Sequence, residues 1–184
     1  MQESLANLHR LVWISLVAAL IVAGGYVHFP LGPVPFSLQT LFVLLSGFVL
    51  GPIAGFAAVG LYLLAGAAGL PVFHGGTSGL GHILGPTGGY LAGFLLTPWI
   101  TGLAGKAISS RPLPWAWALG FALAGNLPIY LLGLLRLQML LQISWSQTLL
   151  TGLVPFLPAD LIKVFLCAAL VRFLQRNQLS LQPS

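Results

Sequence analysis

The chain has 184 residues, 58% of them hydrophobic and 5% charged, with seven Lys and Arg against two Asp and Glu for a formal charge of +5. Soluble domains carry about 25% charged residues, and disordered chains are highly charged and poor in apolar residues, so both classes are excluded. The basic residues are too few and too scattered for a phosphate-tracking surface, so no nucleic acid partner is expected.

The 95 residues 11–105 contain no Asp, Glu, Lys or Arg. As one helix they would run about 140 Å at 1.5 Å per residue, whereas a bilayer core is about 30 Å thick. The chain therefore crosses a membrane several times. Proline and glycine punctuate the apolar text and predict a single integral membrane domain over 1–184 with six spans, at about 11–27, 36–50, 53–70, 87–105, 115–135 and 158–172. Span 1 is too long for the apolar part of a signal peptide and is followed by others, so it reads as uncleaved. Residues 1–10 and 175–184 read as short polar tails. Pro35 is placed to open span 2, and Gly51-Pro52 makes a tight turn before span 3. A Gly-rich segment over 71–86 joins spans 3 and 4, and Arg111-Pro-Leu-Pro114 joins spans 4 and 5. Beyond span 5 an amphipathic stretch carries Gln138, Gln142 and Gln147.

Six spans put both termini on one side. With that side cytoplasmic, Arg10, Lys106, Arg111, Arg172 and Arg176 are inside and only Arg136 is outside, as the positive-inside rule asks. The 28–35 loop, the 71–86 segment and the start of span 6 then share the outer face.

Most of the chemically distinctive residues gather there. Asp160 is the only acid besides Glu3, and Lys163 follows it by three residues, so a helix presents both on one face. An ionised group at membrane depth costs roughly 2.5–3.5 kcal/mol even on lenient scales. The plain alternative has Asp160 capping the helix and Lys163 snorkelling to the interface. The functional reading is a ligand clamp, in which the carboxylate accepts from N–H donors and the ammonium donates to a carbonyl or an anion. Eight glycines between Gly75 and Gly93 suggest backbone that lines a cavity, since irregular backbone at a membrane face survives only there or buried in protein. Gln39 and Tyr90 lie at the depth of Asp160, although Tyr90 also suits an interfacial anchor. Asn126 in span 5 predicts a helix–helix hydrogen bond. Ser15, Ala19 and Ala23 form a strip of small residues at four-residue spacing on span 1, suited to internal packing or to docking a partner. Cys167 reads as a small buried hydrophobe.

The four histidines lack ligand spacing with a Cys, Asp or Glu, and no second intramembrane acid pairs with Asp160, so no metal and no enzyme activity are expected.

Five motifs in order carry a resemblance: Leu31-Gly-Pro-Val-Pro-Phe-Ser-Leu-Gln-Thr-Leu41, Gly69-Leu-Pro-Val-Phe73, Gly75-Gly-Thr-Ser-Gly79, Leu84-Gly-Pro-Thr-Gly-Gly-Tyr90 and Pro155-Phe-Leu-Pro-Ala-Asp-Leu-Ile-Lys163. Over nearly its whole length the chain resembles the BioY family, the biotin-binding membrane subunits (S components) of energy-coupling-factor (ECF) transporters. The resemblance implies an all-α bundle of six membrane helices with both termini cytoplasmic. It also implies biotin held near the outer face of a bacterial plasma membrane, under the connection between spans 3 and 4. Asp160 and Lys163 match the family's substrate-contacting acid and lysine, and Gln39, Phe73, Gly75, Gly76, Thr77 and Tyr90 match other pocket positions. Some relatives carry Asn where this chain has Thr77 and Arg where it has Leu91, which leaves the partner of the biotin carboxylate open between loop N–H groups and Lys163. The implied partners are a transmembrane coupling protein, for which Ser15, Ala19 and Ala23 are the candidate docking face, and a pair of cytoplasmic ATPases. The chain itself holds no nucleotide site, and no cofactor is expected. Rival readings are a sister subunit for thiamine or riboflavin and an intramembrane enzyme using Asp160.

Overall fold

The computed structural model describes residues 2–30, 33–106 and 113–177. The predicted loop at Arg111 and the tail beyond Asn177 lie largely outside them. Helix α1 (Gln2–Tyr26) leads into a two-residue antiparallel ribbon, β1 (His28–Phe29) with β2 (Phe36–Ser37), and then into α2 (Gln39–Ala67). A 3-10 turn (His74–Gly76) and the short α3 (Leu80–Leu84) precede α4 (Gly88–Lys106). Helices α5 (Trp115–Leu141), α6 (Trp145–Gly152) and α7 (Leu157–Arg176) complete the chain.

Three stretches are singly long and apolar enough to span a bilayer: Leu5–Tyr26, Gln39–Ala67 and Trp115–Leu141. Helices α6 and α7, bent by 51° at their break, qualify together. Helix α4 has 19 residues, about 28 Å of helix. By its path, α2 is two spans. Gly51 sits at φ 78° and ψ 177°, a conformation that favours glycine, and Pro52 starts the second half without needing a hydrogen-bond acceptor. A straight helix would separate residues 39 and 62 by roughly 34 Å, yet the Gln39 amide donates to the Tyr62 hydroxyl at 2.7 Å. The chain has folded back on itself at Gly51, giving a bundle of six membrane segments.

Small residues hold this hairpin against α4 and α5. A Cβ on Gly47 would strike the Pro98 carbonyl of α4, and one on Gly102 would strike Pro52. Farther along, a Cβ on Gly93 would strike Ile129 and the Pro128 carbonyl of α5. Such close approach is how helices associate where lipid removes the hydrophobic drive. Thr97 ties α4 to α5 by donating to the Gly125 carbonyl at 2.9 Å.

Two expectations change. Pro35 does not open a helix: residues Phe36 and Ser37 pair with β1, and helical structure begins at Gln39. Among the described residues Asn126 makes no helix–helix bond. Its amide donates to Ala122 of its own helix at 3.2 Å, and its Oδ1 is buried without a partner. The predicted loop at 71–86 also contains the 3-10 turn and α3, and the Gln-rich stretch is resolved into the end of α5 plus α6.

The ends of the bundle differ. Gly24 and Gly25 near the end of α1 adjoin Gln39, so β1, β2, α3 and the start of α4 gather at one end with the α6–α7 break. At the other end lie the Gly51 turn and Gly102, followed by Lys106 as the last residue of α4. There too Arg172 donates to the Leu113 carbonyl and stacks over Trp115.

Candidate functional site

A cavity opens at the first of these ends, with about 590 Å³ of empty space counting its open mouth. Its wall draws on the β1–β2 connection, α2, the 71–87 segment, α4, α5 and α7.

One polar cluster joins α7 to α5. Asp160 lies in the first turn of α7, where the positive end of the helix favours a carboxylate. Lys163 is one turn along and donates to Asp160 Oδ1 at 2.6 Å. The Tyr130 hydroxyl of α5 donates to Asp160 Oδ2. The Lys163 ammonium also lies 4.0 Å from the centroid of the Phe36 ring, a cation–π contact that replaces part of its hydration. Asp160 is 9% exposed and Lys163 3%, so neither snorkels to water. The two side chains meet on one face of the helix, as their spacing predicts, and both line the cavity.

A second cluster stands on the hairpin. Ser37 donates to Gln39 Oε1 at 3.1 Å, and Gln39 donates onward to Tyr62. The Tyr62 hydroxyl proton is thereby left free to donate. Phe73, fully buried, packs edge-on to Tyr62 with centroids 5.6 Å apart and stacks on His82 at 5.1 Å. His82 Nε2 and His74 Nδ1 are 3.1 Å apart and share a hydrogen bond. Burial pushes the His74 imidazole down to about 4, helped by the neighbouring His82 and His28, and burial lowers His82 as well.

Of the predicted positions, Asp160, Lys163, Gln39, Phe73 and Tyr90 share this wall. Tyr90 contributes its ring, because its hydroxyl donates to the Gly152 carbonyl at 2.9 Å and so ties α4 to α6. Gly75, Gly76 and Thr77 lie outside the wall. Gly75 and Gly76 take φ 64° and 75°, which turns the chain so that His74 faces inward, and Thr77 secures the turn by donating to the His74 carbonyl at 2.9 Å. Spacing alone missed Tyr62, Tyr130, His74 and His82. A tyrosine inside an apolar span was the available signal, since a buried hydroxyl needs a partner.

Chemically, Asp160 keeps lone pairs for N–H donors, and Lys163 has two N–H groups beyond the one given to Asp160. Tyr62 can donate, and Phe94, Ile129 and Phe156 supply apolar wall. The cavity therefore suits a small, partly apolar molecule that carries both N–H groups and oxygen acceptors.

Comparison with known proteins agrees. Residues 1–179 match the family model of the BioY family. The chain belongs to the BioY family. A relative from Thermotoga maritima, "Biotin transporter BioY", is 40% identical over 169 residues, covering 92% of this chain and 97% of the relative. A "Probable biotin transporter BioY" from Pyrococcus horikoshii is 37% identical and covers 89% and 94%. The crystal structure of "the S-component for biotin from an ECF-type ABC transporter" superposes with a TM-score of 0.84 at 32% identity over 92% of each chain. Among BioY proteins, then, this one pairs a family-typical bundle with a cavity built on Asp160, Lys163 and Tyr130.

Proposed function

We propose that this chain binds biotin with high affinity and serves its uptake as the substrate-binding subunit of an ECF-type transporter. The carrying observation is the buried Asp160–Lys163 pair, braced by Tyr130 and opening into the cavity. The biotin ureido ring offers two N–H donors and a carbonyl, for which the carboxylate and the donors of the wall are complementary. The thiophane ring and valeryl chain match the aromatic and aliphatic wall. Asp160, Lys163, Gln39, Phe73 and Tyr90 are the proposed contacts, and Gly75, Gly76 and Thr77 act by shaping the turn that carries His74.

The proposed setting is a bacterial plasma membrane with both termini cytoplasmic. Supporting it, Arg10, Lys106, Arg172 and Arg176 belong to the end of the bundle away from the cavity, and Arg136 belongs to the cavity end, donating to the Leu84 carbonyl. The partners are a transmembrane coupling protein and a cytoplasmic ATPase pair. Ser15, Ala19 and Ala23 are all exposed on α1, as a docking face requires.

Equilibrium titration of the purified chain with biotin tests the reading. Saturable binding that unlabelled biotin displaces, and thiamine and riboflavin do not, is expected; absence of saturable binding overturns it.

A further inference from the structure

We infer that the hydrogen-bonded imidazole pair of His74 and His82 is the anion-recognising pole of the cavity, taking the ligand's carboxylate together with one proton from solvent. This deepens the proposed function and rests on biotin, or a vitamin with a similar acid tail, being the ligand.

Three side chains of the cavity wall can carry positive charge, Lys163, His74 and His82, and one carries negative charge, Asp160. Lys163 is already matched by Asp160 at 2.6 Å. A carboxylate brought to that ammonium also meets the Asp160 carboxylate, whose repulsion offsets the attraction. The α7 pole therefore suits the neutral, N–H-bearing end of a ligand, and the acid end needs another place. The imidazole pair belongs to the other polar cluster, linked through Phe73 to Tyr62 and Gln39.

Proton counting defines what the pair can do. The inner contact, His82 Nε2 to His74 Nδ1, uses one N–H and one lone pair whichever tautomer is present. Two neutral rings then leave one outer nitrogen as a donor and the other as an acceptor. One added proton makes both outer nitrogens donors, gives the pair a charge of one, and keeps the inner hydrogen bond. A neutral pair becomes a two-donor cation without moving. The backbone is fixed for this: Thr87 donates to the His82 carbonyl at 3.2 Å, Thr77 donates to that of His74, and Phe73 stacks on the His82 ring.

The groups facing the pair are consistent with proton uptake only when an anion arrives. His28 of β1 lies 6.2 Å from His74 between ring centroids and discourages a lone positive charge. Tyr62 of α2 stands behind Phe73, while Tyr90, Tyr130, Asp160 and Lys163 belong to the same wall. Arg136 is held by the Leu84 carbonyl at the end of α3. Burial keeps the empty pair neutral at pH 7. An ionised carboxylate against it raises its proton affinity, so the occupied site holds more protons than the empty one. The sign follows from linkage: affinity for the acid rises as pH falls, by up to about tenfold per pH unit, in the window between the raised value of the occupied pair and the lowered value of the empty one.

The test measures binding of biotin and of biotin methyl ester to the purified wild-type chain from about pH 8 to about pH 6, an interval in which biotin stays ionised. Biotin should tighten relative to the ester by several-fold to about tenfold as pH falls, because pH effects on the Asp160–Lys163 pole act on both ligands and cancel in the ratio. His74→Gln and His82→Gln should each flatten the biotin dependence and reduce the acid-over-ester preference, with thermal unfolding of each variant as the folding control. A pH-independent preference for biotin in the wild type, equal affinity for acid and ester, or full retention of the pH-dependent preference in both variants overturns the inference while leaving biotin binding intact. Binding of neither ligand by the wild type removes the biotin reading and this inference with it.

Discussion

Helices α1 and α7, the first and last of the bundle, are similar in composition and opposite in construction. Along α7 the inward stripe is Asp160, Lys163, Val164, Cys167, Ala168 and Val171, at helical spacing, while Leu161, Ile162, Phe165 and Phe173 face outward. Small and polar groups meet protein, and large apolar groups meet lipid. Along α1 the inward residues are Val17, Ala18, Ile21, Gly24 and Gly25, yet Ser15, Ala19 and Ala23 are turned outward among exposed leucines. Lipid gains little from a strip of small residues, whereas a second helix gains close backbone contact. The outer face of α7 is finished against the bilayer. Under the proposed function, that of α1 is left for another protein.

The largest expected effect lies on the inner face of α7. Asp160→Asn removes the carboxylate from a buried pair and leaves the Lys163 ammonium without its counter-ion. Loss of a buried charged partner costs about 2–5 kcal/mol, so biotin affinity should fall by about thirtyfold or more. Isothermal titration of the purified variant checks this. An unchanged affinity would make the inward stripe of α7 mere packing and erase its contrast with α1.

On α1 the expected effect is of another kind. Ala19→Trp puts a large ring on an exposed position that nothing in the bundle occupies. Biotin binding by the isolated chain should stay within about twofold, since isolated surface changes alter stability by about half a kcal/mol. ATP-driven uptake in cells that also contain the coupling protein and ATPases should fall several-fold. Normal uptake would reassign the strip to lipid contact and remove the asymmetry between the two helices.

Tyr130→Phe sharpens the comparison at smaller scale, deleting one hydrogen bond to Asp160 while keeping the ring and the ion pair. About 1 kcal/mol, or roughly fivefold in biotin affinity by titration, is expected. Tyr130 also marks where sequence reading stopped. The crossing number, the Gly51 reversal and the Asp160–Lys163 face all follow from local rules: charge exclusion from lipid, glycine and proline at turns, and i,i+3 spacing. Tyr130 is 30 residues from Asp160, and Tyr62 is 23 from Gln39, so their pairing depends on how helices pack. For the same reason the glycines at 75 and 76 suggested cavity lining, when their backbone instead aims His74. Pro35 satisfied the rule for a helix start but was overruled by pairing of Phe36 with Phe29 across the ribbon. A polar residue in a span suits a partner on another helix, but for Asn126 the Ala122 carbonyl of its own helix is within reach.

Thiol labelling reports the smallest effect. Cys167 on the inward stripe is fully buried between α7 and its neighbours. A membrane-permeant maleimide should therefore label the native chain in membranes only after denaturation. In a Cys167→Ala background, which leaves a small side chain at the same site, Ala23→Cys places a thiol on the exposed strip of α1 near its cavity end. That thiol should react readily in the chain alone and be protected when the coupling protein and ATPases are co-expressed, read as the fraction labelled by mass shift. Protection without partners would mean that α1 packs inward more than its exposure indicates. Equal reactivity with and without them would mean that the strip stays in lipid during transport. Only labelling that falls on assembly fits a first helix whose small residues await a partner, beside a last helix whose small residues have already found theirs.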